Sequence, residues 1–86
     1  MGRHKEEVYK IPVGREHLLD QCRYFVHYLN FILCCDSLTN LKKEIKKIEK
    51  YQGVNIYSLW KGGKKDNKPP SEIPLLITHY KPKGVK

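Results

Sequence analysis

Residues 15–35, REHLLDQCRYFVHYLNFILCC, decide the fold. Their polar members Glu16, Asp20, Arg23, His27 and Asn30 recur at intervals of 4, 3, 4 and 3, a spacing that draws one stripe down the side of an α-helix. On that reading Leu18, Leu19, Cys22, Phe25, Val26, Leu29, Ile32 and Leu33 make one apolar face, and Tyr24, Tyr28, Phe31 and Cys35 make a second beside it. More than half of the circumference is then apolar. Such a helix is the centre of its domain, covered on its second side by another element or another subunit. Tyr24, Tyr28 and Phe31 are accordingly the candidate interface residues, toward a second copy or toward the next helix.

Downstream of this stretch, Asp36, Ser37 and Thr39 offer cap oxygens for a second helix that runs to about Gln52, with Gly53 in the place of a left-handed cap. Leu38, Leu41, Ile45 and Ile48 form its narrow apolar seam, and Lys42, Lys43, Lys46, Lys47 and Lys50 cover most of the rest. Residues 54–60 are β-rich, a polar loop over 61–72 contains Gly62, Gly63, Pro69 and Pro70, and a second β-rich run covers 73–80. Two strands joined by so long a loop predict an open hairpin with a flexible, basic tip. Upstream, residues 8–13 read as a strand that Pro12 confines to a sheet edge and Gly14 ends. Residues 1–7 read as a mobile arm and 81–86 as a flexible tail. The predicted fold is α+β in the order β-α-α-β-β: a long central helix and a second, lysine-rich helix packed on a small antiparallel sheet with a C-terminal hairpin.

A chain of 86 residues has room for one hydrophobic core, so a single domain over 1–86 is expected. Apolar residues at 40% and charged residues at 30% argue against disorder throughout. A domain this small buries only roughly 60–65% of its unfolded surface, and a homodimer would widen its thin margin of stability. Three cysteines, two of them adjacent, do not make a secreted disulfide framework, which points to reduced thiols in the cytoplasm or nucleus. Arg3, His4, Lys5, Glu6 and Glu7 are followed by no apolar h-region, so no secretory leader is expected. The longest apolar run, 31–35, is too short to span a bilayer, and no membrane association is expected. Alanine is absent while Lys, Ile, Asn and Tyr are abundant, the bias of AT-rich coding DNA, which fits a virus, phage, plasmid or AT-rich cell alike.

The formal charge is +8, and it is unevenly spread. Residues 1–35 carry five Lys/Arg against four Asp/Glu, whereas residues 36–86 carry twelve against five. A field of that sign attracts polyanions, although a merely solvated lysine surface is the bland alternative. The candidate nucleic-acid-binding residues are Lys42, Lys43, Lys46, Lys47 and Lys50 on the second helix, with Lys61, Lys64, Lys65 and Lys68 in the loop. The second helix has no Arg, and its only amides, Asn40 and Gln52, sit at its ends, so contacts to DNA or RNA should be directed at phosphates rather than bases. Tyr51, Tyr57 and Trp60 lie near these lysines; stacking on bases is the functional reading, and completion of the core under the hairpin is the expected one.

Other chemistry is poorly represented. Cys22, Cys34, Cys35, His4, His17, His27 and His79 show neither C-x-x-C nor H-x-x-x-H spacing, and adjacent helical cysteines diverge by about 100°, so buried inert thiols and no metal are expected. The row Glu16, Asp20, Arg23, His27 sets carboxylates, a cation and an imidazole on one helix face but has no nucleophile or metal partner, and reads as a solvated or interfacial face. Gly62 and Gly63 lack phosphate-loop spacing. No enzyme, cofactor or small-molecule substrate is expected. The leading expectation is a small nucleic-acid-binding accessory or regulatory protein of low sequence specificity. The alternative is a protein-interaction module or inhibitor that grips an acidic partner through the same lysines, or an apolar one through exposed aromatics.

Overall fold

A computed structural model describes residues 7–49 and 51–83. The described residues form a small α+β fold with a five-stranded antiparallel sheet and one α-helix. The strands are β1 (Tyr9–Pro12), β2 (Tyr24–His27), β3 (Phe31–Cys35), β4 (Val54–Ser58) and β5 (Leu75–Tyr80), arranged β1-β3-β2-β4-β5. The helix α1 (Leu38–Ile48) joins β3 to β4 and so crosses over β2.

The long first helix is not formed. In its place, residues 16–21 make a 3-10 segment (Glu16–Gln21), and residues 24–35 make the β2–β3 hairpin. Tyr24, Phe25 and Val26 and then Phe31 and Ile32 are aromatic or β-branched, residues that lose rotamer freedom in a helix and pack well on a pleated surface. Between the runs, Leu29 and Asn30 form a two-residue turn closed by the Tyr28 N–H donating to the Phe31 carbonyl at 2.8 Å. Leu29, assigned by periodicity to a buried face, is 90% exposed at the tip.

The wide apolar surface of this stretch has a different cause from the one periodicity suggests. Strand side chains alternate, and both faces of the sheet are covered. On one face the 3-10 segment brings Leu19 over Ile11, Cys22, Phe25, Ile32 and Cys34. On the other, α1 brings Leu41 and Ile45 over Val26, Leu33, Cys35 and Ile56. Residues 32–35 of β3 are therefore all buried, and Cys34 and Cys35 point to opposite faces rather than about 100° apart.

The helix α1 starts where expected, with the Ser37 hydroxyl accepting the Asn40 N–H at 3.3 Å. It stops at Ile48 rather than near Gln52; Ile48, the last member of the seam, is itself 46% exposed and Tyr51 beyond it is exposed, so no buried contact holds a further turn. Gly53 does not serve as a left-handed cap: among described residues only Gly14, Gly62 and Gly63 have positive φ, and Glu49 ends the helix in an extended conformation. Gly53 is small for another reason, since a β-carbon there would collide with the His79 ring. β4 and β5 pair from Val54↔Tyr80 to Ser58↔Leu75, with a bulge between Ile56 and Tyr57. Residues 1–6, nearly all of the expected arm, lie outside the described residues, as do Lys50 and 84–86 of the tail.

Candidate functional site

The helix lysines follow from how α1 packs. Leu41 and Ile45 are fully buried against the sheet, and Lys43, Lys46 and Lys47, on the rest of the helix surface, are exposed. Lys42 is half-buried because its ammonium lies over the Tyr80 ring, 5.3 Å from the centroid. Lys47 is 2.9 Å from Glu44, an exposed pair of small energetic weight. Lys43 and Lys47, with Asn40, Glu44 and Val8, line a shallow depression of about 340 Å³ beside β1. Lys50 lies outside the described residues.

The loop lysines are held differently. The β4–β5 connection is pinned rather than open: the Ser71 N–H donates to the Leu59 carbonyl at 2.6 Å, the Gly63 N–H to the Trp60 carbonyl at 2.9 Å, and Gly63 sits against the Tyr24 ring. Lys65 donates to the Gln21 carbonyl at 2.6 Å and lies 5.1 Å from the centre of the Trp60 ring. Gln21 ends the 3-10 segment, on the face of the sheet opposite α1. Lys65 is therefore committed away from the helix lysines. Lys61, Lys64 and Lys68 are exposed, and Asp66 stands among them with its carboxylate accepting the Lys68 N–H at 2.8 Å.

The aromatic residues mostly serve the core. Trp60 is buried and Tyr57 half-buried against Phe25, with ring centroids 6.0 Å apart, while Tyr51 is exposed. Tyr24, Tyr28 and Phe31 do not form a second helix face; they lie on β2, its turn and β3, half-buried in the core under α1. Tyr28 and Phe31 stack with centroids 5.0 Å apart, and Lys10 extends over the Phe31 ring at 4.3 Å. The Tyr28 hydroxyl is buried with no hydrogen-bond partner among the described residues. Burial, reinforced by the charge of Glu49, pushes its pKa up to about 12.

The row of polar residues expected on one helix face is dispersed. Glu16 and Asp20 lie on the 3-10 segment, Arg23 in the turn after it and His27 at the end of β2. The Glu16 carboxylate accepts the Gly14 N–H at 3.0 and 3.1 Å, and this bond is the main cause holding its pKa below the usual value. Among the described residues, no three His, Cys, Asp or Glu side chains converge as metal ligands, and no helix is long and apolar enough to cross a membrane.

Two features escaped the sequence. Lys10 joins the Phe31 ring only because β1 pairs with β3, Pro12 facing Phe31. Cys22 and Cys34 meet on one face of the sheet with their sulfurs 2.7 Å apart, an approach hidden while both were assigned to a helix. Beside them, between β1 and the 3-10 segment, is a cavity of about 450 Å³. No protein-family model, curated protein or solved structure matches the chain.

Proposed function

We propose that this protein binds nucleic acid through contacts of the α1 lysines with phosphates, with little sequence specificity. The observation that carries this reading is that Lys43, Lys46 and Lys47 project from a helix whose opposite side is sealed by Leu41 and Ile45. The packed helix backbone is already ordered, so binding a polyphosphate costs only the immobilisation of the lysine side chains. The helix carries no Arg, and Asn40 is its only amide, so base edges have few readers. Lys61, Lys64 and Lys68 form a secondary patch; Lys65 contributes least, because its ammonium is already engaged.

Fluorescence anisotropy with mixed-sequence DNA and RNA, single- and double-stranded, at roughly 50 and 200 mM salt tests the proposal. Several phosphate contacts predict a steep loss of affinity across that range. Absence of binding at the lower salt would exclude it.

A second reading, association with a protein partner or a second copy, rests on β5. This is an edge strand without proline or a formally charged residue, preceded by Ile73 at 74% exposure and carrying Leu76 at 58%. A solution mass twice 10.2 kDa that falls to the monomer value in Leu76→Lys supports it, and a monomer at all concentrations removes the dimer.

A further inference from the structure

We propose that Cys22 and Cys34 are a redox-active pair that closes into a reversible intrachain disulfide. Cys22 follows the 3-10 segment and Cys34 lies on β3 facing it, so the pair ties the layer over the sheet to the sheet itself. Each is 1% exposed, and their sulfurs are 2.7 Å apart. A disulfide bond is about 2.05 Å long, so closure needs less than about 1 Å of movement. Competition from the third thiol is blocked by alternation along β3: Cys35 points to the opposite face, where its sulfur accepts the Ser37 N–H at 3.3 Å.

The buried pair is reached through the cavity of about 450 Å³, whose wall contains both cysteines together with Tyr9, Ile11, Leu18 and Arg15. That space admits a peroxide. One thiol, as thiolate, attacks a peroxide oxygen; the O–O bond breaks, the sulfur becomes a sulfenic acid, and the departing hydroxide takes a proton to leave as water. The second thiolate then attacks the sulfenic sulfur, the S–O bond breaks, and a second water leaves. Two thiols are oxidised and one peroxide is reduced to two waters. Two molecules of a small thiol restore the pair by exchange: the first forms a mixed disulfide and frees one cysteine, and the second attacks that mixed disulfide, frees the other cysteine and leaves as the small-molecule disulfide. The bond closes a loop over residues 22–34, which contains the β2–β3 turn, and restricts the unfolded chain.

The test uses the full chain, reduced, desalted and treated with hydrogen peroxide. Expected are loss of two hydrogens from the intact monomer mass, one thiol left to alkylate, a Cys22–Cys34 link in the peptide map, and full reversal by reductant. The folding equilibrium constant should rise about 100-fold on oxidation, an effect kept in Cys35→Ser and abolished in Cys34→Ser. A link involving Cys35, an intermolecular dimer, three alkylatable thiols after treatment, or over-oxidation of a single cysteine overturns the proposal. If either serine variant fails to fold, the wild-type map decides alone.

Discussion

Gly63 lies so close to the Tyr24 ring that a β-carbon at position 63 would overlap it. This approach joins the β4–β5 connection to the first residue of β2. Gly62, its neighbour, also has positive φ but faces open space. Ala at either position incurs a left-handed backbone cost of about 1–2 kcal/mol, and only Gly63→Ala adds the collision with an aromatic ring. In urea unfolding, Gly63→Ala should therefore be less stable than Gly62→Ala by at least about 1 kcal/mol. Equal losses would show that Tyr24 moves aside freely.

The turn at Leu29 separates the hairpin from the helix that periodicity suggests. On a helix Leu29 and Leu33 share one face and would cost alike when truncated. Here Leu29 projects into solvent and Leu33 is buried beneath α1. Leu29→Ala should fall within about 0.5 kcal/mol of the parent, and Leu33→Ala should lose about 2–5 kcal/mol. Thermal denaturation checks the ordering.

How far the fold could be read from residues alone follows from this same stretch. The 4, 3, 4, 3 spacing of polar residues is real, but those residues fall on the 3-10 segment, in turns or at a strand end. A run buried on both faces of a sheet is as continuously apolar as a buried helix, so only the density of Tyr, Phe, Val and Ile and the turn-forming Asn30 favoured strands. The Ser37 cap, the α1 seam and the two C-terminal strands were legible because their signals are local. The Lys65 bond to Gln21 and the meeting of Cys22 with Cys34 were not, since each depends on which strands become neighbours.

Alkaline pH should destabilise the protein through Tyr28. Its phenol is neutral in the folded state up to about pH 12, whereas the unfolded phenol ionises from its ordinary value of 10.0. Between those values the unfolded chain binds fewer protons than the folded one, so stability is fully present below pH 10 and declines as pH rises toward 12. Tyr28→Phe removes the buried hydroxyl that has no hydrogen-bond partner among the described residues. It should unfold at least as late as the parent at neutral pH and lose less stability above pH 10, as read by denaturant midpoints across pH.

Nucleic-acid affinity should respond unequally to the lysines. Lys43→Gln with Lys46→Gln is expected to lower the dependence of log affinity on log salt by about 2, one for each phosphate no longer neutralised. Lys65→Gln should leave that slope nearly unchanged and lower stability slightly, because it releases the Gln21 carbonyl. A slope reduced by Lys65→Gln alone would shift the binding surface to the opposite face.

The sheet order carries a consequence for synthesis. β3 is inserted between β1 and β2, two strands that both precede it, and among the described strands β1 pairs with β3 alone. A nascent chain leaving the ribosome N-terminus first holds residues 9–12 without a hydrogen-bonding neighbour until the β2–β3 turn has emerged and folded back. Fragments that end before Phe31 therefore leave the first strand with no strand to pair with.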